Sequence, residues 1–213
     1  MDWIWIGDPL YRYRDAATGR FVGQGQVNDA SGISVDSAQD LARVSGAALV
    51  NGDVTLGAWQ REFRQQIKDE YIRQYGLGIG GVDQMTAVDQ GSIGGMLADQ
   101  YRYLDRLVAQ TAAGEVSPAR LIQRSMMYLN SSREALFRAM GRARGIETGE
   151  APAHPGDGST QCLTNCLCAW VYQRRGNEWN LFWTLSPAEH CPTCLERAEM
   201  WNPYVIPISE PTA

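Results

Sequence analysis

Five cysteines near the carboxyl end of the chain are the side chains best suited to chemistry. Cys162, Cys166 and Cys168 form the sequence CLTNCLC, and Cys191 and Cys194 form CPTC, while the first 161 residues contain no cysteine. Zinc takes about four sulfur or nitrogen ligands in a tetrahedron, commonly as two pairs on separate segments. The spacing therefore predicts a structural zinc site that uses four of the five cysteines.

Other arrangements of these side chains remain open. His190 or His154 could replace one sulfur, since both adjoin the cysteine segment and imidazole binds zinc. The thiols could instead form disulfides or stay reduced in a buried cluster. The CPTC sequence also has the two-residue gap of dithiol oxidoreductases, but such motifs normally open a helix early in an α/β fold. Because no orienting acid stands at recognisable spacing from a pair such as Cys191 and His154, we predict no enzyme and no catalytic residue.

The elements that position the cysteines follow from hydrophobic periodicity, which predicts four helices in a body spanning residues 34–146. The expected ranges are 34–50, 55–75, 83–112 and 117–144. Thr55 and the Ser117-Pro118 pair supply helix start signals. The glycine cluster at 91, 94 and 95 predicts a break, a bend or the close approach of another helix. The six arginines between 120 and 144 are expected on a solvated face, with an acidic partner or DNA as the less favoured interpretation.

Around this body the sequence predicts four smaller parts. Residues 1–33 form an aromatic arm, containing Trp3, Trp5 and Tyr11, that packs on the chain's own helices or on a neighbouring subunit. Residues 147–161 form a linker rich in turn formers. Residues 162–201 form a cysteine-rich module with strands at 168–172 and 179–185 and a helix at 195–201. An extended tail covers 202–213. The predicted fold class is thus mostly α, with a small C-terminal β-hairpin plus helix that resembles a zinc-binding module.

Composition excludes several classes of function. The chain has 213 residues with a net charge of −5, a pI near 5.1 and a mean hydropathy of −0.32. An acidic protein is not expected to bind nucleic acid chiefly by neutralising phosphates. No apolar run approaches the roughly 18–20 residues of a membrane span, and Met1–Ile6 lacks the basic start of a signal peptide. We therefore expect a soluble protein that is intracellular when made.

Three segments resemble the head morphogenesis and minor structural proteins of tailed bacteriophages, related loosely to the Mu F-like group. They are the stretch YRDAATGRFV at 13–22, the MMY sequence at 126–128, and the pairing of GSTQCLTNCLC at 158–168 with EHCPTC at 189–194. In that group a helical body ends in a module with a Cys-x-x-Cys pair and a Cys-x-Cys element. Here the order of these two elements is reversed.

The resemblance implies a virion or head-assembly protein that acts near the capsid or portal without catalytic residues. It assigns ligand positions to Cys191, Cys194, Cys166 and Cys168, with Cys162 extending the set. The expected partners are other virion proteins, with several copies per particle, and the expected locations are the virion and, during assembly, the host cytoplasm. A zinc-dependent nucleic-acid-binding protein is the alternative, and a thiol oxidoreductase is less favoured.

Overall fold

The computed structural model describes residues 3–6, 12–15, 17–146 and 149–208 of the chain. These residues form six α-helices and two small sheets, which confirms the predicted mostly α fold with a small C-terminal sheet. The helices are α1 (Gln24–Asn51), α2 (Leu56–Ile79), α3 (Ala87–Ala112), α4 (Pro118–Asn130), α5 (Arg133–Ala143) and α6 (Pro192–Met200). None of the helices in these ranges has the length and apolar character that a bilayer span requires.

Each sheet has three antiparallel strands. The N-terminal sheet contains β1 (Trp3–Ile6), β2 (Arg12–Asp15) and β3 (Phe21–Val22), and the C-terminal sheet contains β4 (Ala169–Arg175), β5 (Glu178–Thr184) and β6 (Tyr204–Pro207). The predicted hairpin is confirmed with a longer first strand and a second strand shifted by one residue. It turns at Gly176, whose φ of 59° suits a residue without a Cβ. The segment predicted as a tail is a third strand where β6 pairs with β5. Residues 209–213 lie outside the described part.

The predicted boundary between an N-terminal arm and the first helix at residue 34 is wrong, because α1 begins ten residues earlier, at Gln24. The early turns contain glycine, serine and aspartate, which favour helix weakly, so contacts with distant segments decide their conformation. Gln24 donates to the carbonyl of Trp170, and Val27 is fully buried. The side chains of Trp3 and Trp5, and all of Tyr11, lie outside the described residues.

Glycines play different parts in α2 and α3. We expected α2 to end at Tyr75, but it continues to Ile79 and ends at Gly80, a left-handed C-cap with φ 94°. In this last turn Gly78 lets α5 approach closely. A Cβ added to Gly78 would lie 2.4 Å from the carbonyl oxygen of Leu136. At Gly91, Gly94 and Gly95 the same test finds no atom within 4 Å, and α3 runs through them unbroken. The predicted break and the predicted close approach at that cluster are both wrong.

The single helix predicted over 117–144 is two helices, α4 and α5, separated at Ser131 and Ser132. The Ser131 hydroxyl donates to the carbonyl of Tyr128 at 2.7 Å, and the Ser132 hydroxyl donates to that of Leu129 at 2.6 Å. Such bonds from serine to the preceding turn compete with helical hydrogen bonding and bend or end a helix. The Tyr71 hydroxyl lies 2.8 Å from that of Ser131, so α2 supports the junction.

Two hydrophobic cores hold these elements. One lies among the helices and contains the predicted apolar stripe of α2, including Trp59, Phe63 and Ile67, all fully buried. The other joins the N-terminal sheet and α5 to the C-terminal sheet and the cysteines, with Tyr13, Phe137 and Trp170 among its members. The sequence predicted the arm, the linker and the cysteine module as separate parts, but the N-terminal segment and the module share this second core.

The segment predicted as a linker also contributes to this packing, since the carbonyl of buried Ala153 accepts a hydrogen bond from the Trp170 indole at 2.8 Å. Residues 147 and 148 of that segment lie outside the described part of the chain.

Candidate metal centre

Each group of cysteines sits in a tight turn closed by backbone hydrogen bonds. Cys162 and Cys166 flank a single 3₁₀ turn (Leu163–Asn165), in which the Asn165 N–H donates to the Cys162 carbonyl at 3.0 Å. Cys191 is the N-cap of α6, and the Cys194 N–H donates to its carbonyl at 3.0 Å. Pro192 occupies the first turn, where its missing N–H costs nothing. Backbone hydrogen bonds thus fix the shape of both turns that carry the cysteines.

The hairpin brings these two turns to the same place. Ala169 at the start of β4 pairs with Thr184 at the end of β5. Because the strands are antiparallel, the chain before β4 and the chain after β5 emerge at one end of the sheet. The 162–168 group precedes β4, and the 191–194 group follows β5. The predicted meeting of the two groups is confirmed.

Contacts of the Arg197 guanidinium fix helix α6 at the end of the sheet where the two cysteine groups meet. Arg197 lies over the rings of Trp183 and Trp201, at 5.1 Å and 5.0 Å from their centroids. Its guanidinium also donates to the carbonyl of Ser159 at 3.1 Å, just before the first cysteine. Since α6 begins at Cys191, these contacts also fix the second pair of sulfurs.

The sulfur atoms lie at distances suited to a shared metal ion. Cys162 Sγ is 3.5 Å from Cys191 Sγ and 3.6 Å from Cys194 Sγ, and Cys166 Sγ is also 3.6 Å from Cys194 Sγ. All five thiols are free, whereas a disulfide would need about 2.05 Å between sulfurs. Metal–sulfur bonds of about 2.3 Å in a tetrahedron separate the sulfurs by about 3.8 Å. Either group of three neighbouring sulfurs could therefore hold a metal ion, whereas no four sulfurs of the described residues lie mutually within 4.8 Å, so a fourth ligand would have to move closer.

Cys194 is the common corner of the cluster. Two groups of three sulfurs lie mutually within 4.8 Å, Cys162 with Cys191 and Cys194, and Cys166 with Cys168 and Cys194. Cys166, Cys168 and Cys194 are buried, while Cys162 and Cys191 are partly exposed. The first group therefore faces the surface and the second faces the core.

The thiols influence one another's ionisation. A hydrogen bond from the Cys166 thiol to Cys168 raises the pKa of Cys166 and lowers the pKa of Cys168. Burial raises the pKa of Cys194. Burial also acts to raise the pKa of Cys191, but the N–H groups of Cys194 and Cys162 point at its sulfur and lower the pKa to about 7. Without metal the cluster thus mixes protonated thiols with groups that ionise readily.

The two histidines occupy different positions. His190 lines a cavity of about 60 Å³ beside the sulfurs of Cys162, Cys168, Cys191 and Cys194. The His154 Nδ1 is buried without a hydrogen-bond partner among the described residues. Burial and the positive charge of Arg138 lower the pKa of His154 to about 4. Neither histidine belongs to the two groups of three that include the sulfurs.

Arg133 and Arg144 are buried, which contradicts the predicted solvated face for all six arginines of residues 120–144. Arg144 lies over the ring of Tyr172, 4.5 Å from its centroid. Arg133 opens α5, and its Nη1 lies 3.5 Å from the carbonyl oxygen of Cys166, the sulfur of which belongs to the cluster. In the sequence, nothing distinguishes these two arginines from the other four, so sequence reasoning missed their positions.

Comparisons of this chain with protein-family models, with curated proteins and with solved structures find no match.

Proposed function

We propose that this protein is a virion structural or head-assembly protein of a tailed bacteriophage that acts through protein–protein contacts near the capsid or portal. The proposal includes a structural zinc ion in the cysteine cluster. The observation that carries it is the sulfur cluster itself, which clamps the 162–168 turn to the start of α6. This arrangement suits a module that is held rigid for docking.

Zinc is the proposed metal because the donor set is entirely thiol. Soft thiolate ligands favour zinc over magnesium, calcium or manganese, which prefer oxygen. Cys162, Cys191 and Cys194 would supply three ligands, and Cys166 or Cys168 the fourth. The ion would then join segments separated by the whole β4–β5 hairpin and stabilise the end of the sheet where they meet.

The surface of α1 supports a role in contacts. Ile33, Leu41 and Val44 are between 61 and 69% exposed, and they lie on a helix that packs against the bundle with its other side. Exposed apolar side chains on one helix face favour a protein partner. Together with the resemblance of the cysteine segments to head proteins, this favours virion proteins as the partners.

Mass spectrometry of purified particles and assembly intermediates tests the biological part of the proposal. The chain should be present in multiple copies in at least one of the two. Its absence from both would refute the virion role while leaving the zinc site to be judged by metal analysis.

A thiol oxidoreductase is the second candidate, because the CPTC sequence opens helix α6 with Cys191 as its N-cap. A dithiol motif at a helix N-terminus is the arrangement that such enzymes use. Insulin reduction by the purified chain would support this candidate, and the Cys191→Ser variant should then be inactive. If the zinc site is structural, both proteins should lack this activity.

The nucleic-acid alternative is less favoured, since the burial of Arg133 and Arg144 divides the predicted basic face. Binding to duplex DNA that weakens steeply with salt would support it.

A further inference from the structure

Arg133 is a buried cation beside the cysteine cluster. Only 8% of the residue is exposed. Its Nη1 makes one long contact of 3.5 Å with the Cys166 carbonyl. Its Nε is buried without a hydrogen-bond partner among the residues described. Arginine has five N–H donors and buried donors normally have a partner, so this buried guanidinium makes few hydrogen bonds.

No carboxylate within the described ranges lies within 4.0 Å of the Arg133 guanidinium. Burial lowers its pKa, while the sulfurs of Cys166 and Cys168 and the exposed carboxylate of Asp36 raise it. The other deeply buried arginine, Arg144, lies over aromatic faces. Buried charges in proteins are normally paired, because an uncompensated charge in the interior is strongly unfavourable. Arg133 therefore needs a negative charge, and the Cys166 and Cys168 sulfurs act on it more strongly than the Asp36 carboxylate does.

We propose that Arg133 is the counter-charge of the metal centre, compensating the negative charge that the cluster acquires when its thiolates bind zinc. This inference rests on the zinc site proposed above. A divalent ion with four thiolates carries two net negative charges, and the Cys166 and Cys168 end of the cluster faces the buried guanidinium. Arg133 Nη1 also contacts the Cys166 carbonyl oxygen, so Arg133 is a positioning residue for the segment that carries these two sulfurs.

The alternative is that Arg133 serves only the packing of α5. Removing it would then destabilise the metal-free and the zinc-loaded protein equally, and the zinc affinity would not change. A counter-charge acts mainly on the loaded protein, because the negative charge forms when zinc displaces the thiol protons. The zinc dissociation constant therefore separates the two roles.

The test compares Arg133→Met with Arg142→Met in the full chain. Arg142 lies on the same helix but is half-exposed and faces Asp89, with Nε 3.6 Å from its carboxylate, so its loss perturbs α5 away from the sulfurs. Zinc affinity is measured by competition with a chromophoric chelator. Arg133→Met should weaken binding by about 10- to 100-fold, as the loss of groups that support metal ligands commonly does. Arg142→Met should bind zinc as the unmodified chain does.

Two further variants keep the test decisive if Arg133→Met folds poorly. Arg133→Gln keeps a polar side chain but no charge, and it should also lose affinity, whereas Arg133→Lys keeps the charge and should recover most of it. Cobalt(II) loading should give sulfur-to-cobalt charge-transfer bands of the same intensity per bound ion in all variants, because the number of thiolate ligands does not change. Unchanged zinc affinity in Arg133→Gln would overturn the proposal. Failure of the unmodified chain to bind zinc would instead refute the metal site itself.

Discussion

Replacing Gly78 with alanine tests the close packing of α2 against α5, the helix that lies between the bundle and the cysteine module. The new Cβ would lie 2.4 Å from the Leu136 carbonyl oxygen and 2.6 Å from the Ala139 Cβ. Carbon atoms pack best at about 3.5–4.0 Å, so the two helices would have to separate by roughly 1 Å. Both obstructing atoms belong to or adjoin helical backbone and cannot turn aside as a flexible side chain would.

The expected cost follows from two opposing effects. Overpacking of this kind costs about 3 kcal/mol, the upper part of the usual range. Alanine favours helix over glycine by about 1 kcal/mol. Gly78→Ala should therefore lower the free energy of unfolding by about 2 kcal/mol, which corresponds to a fall in Tm of about 4–8 °C for a chain of this length.

Gly94→Ala is the matched control, since it makes the same substitution at an exposed helical glycine with no atom within 4 Å of the new Cβ. Here only helix propensity acts, so the stability should rise by up to about 1 kcal/mol. Urea and thermal denaturation followed by circular dichroism measure both variants. A Tm for Gly78→Ala equal to or above that of the unmodified protein would refute the described approach of α2 and α5.

Three other predictions concern the cysteine cluster, His154 and the contact of Tyr71 with Ser131. Cys194→Ser should abolish zinc binding, because both groups of three sulfurs contain Cys194. Cys162→Ser leaves the group of Cys166, Cys168 and Cys194 intact, so this variant should bind zinc with reduced affinity. Equal zinc content in the two variants would contradict this prediction. The pKa of His154 falls from 6.5 to about 4 on folding, so the unfolded chain binds a proton that the folded chain does not. Stability should therefore fall by up to about 3 kcal/mol from pH 6.5 to pH 4 and show no His154 effect above that range. In His154→Phe this component should be absent, and an unchanged difference in urea midpoints between the two pH values would argue against it. Tyr71→Phe removes the hydroxyl that lies 2.8 Å from that of Ser131 and should cost about 1 kcal/mol in urea denaturation; no loss would mean that this contact does not support the α4–α5 junction.

The meeting of the two cysteine groups was predictable because its cause is local. Cysteine spacing, a hairpin between the two groups and Pro192 after Cys191 are all visible in the sequence, and antiparallel pairing then determines where the chain ends meet. The caps at Thr55 and Ser117 were predictable for the same reason. The Thr55 hydroxyl accepts from the Ala58 N–H at 3.3 Å, and that of Ser117 accepts from the Arg120 N–H at 3.4 Å.

What the sequence did not reveal depends on contacts between distant segments. Gly78 and Gly94 are both helical glycines, but only the packed structure shows that one faces α5 and the other faces solvent. The start of α1 at Gln24 depends on its bond to Trp170, which is 146 residues away. Arg133 looks like its exposed neighbours until α5 is placed against the cluster. In each case, tertiary packing decides between conformations or environments that local preference leaves nearly equal.

The zinc content and thiol count of protein purified without added zinc test the central claim most directly. Elemental analysis should find about one zinc per chain. Thiol titration of the native protein should find no readily reactive cysteine, because the one thiol that does not bind zinc, Cys166 or Cys168, is buried. All five should react after denaturation in chelator. Metal-free protein whose native cysteines all react, or protein that retains disulfides after denaturation, would contradict the account.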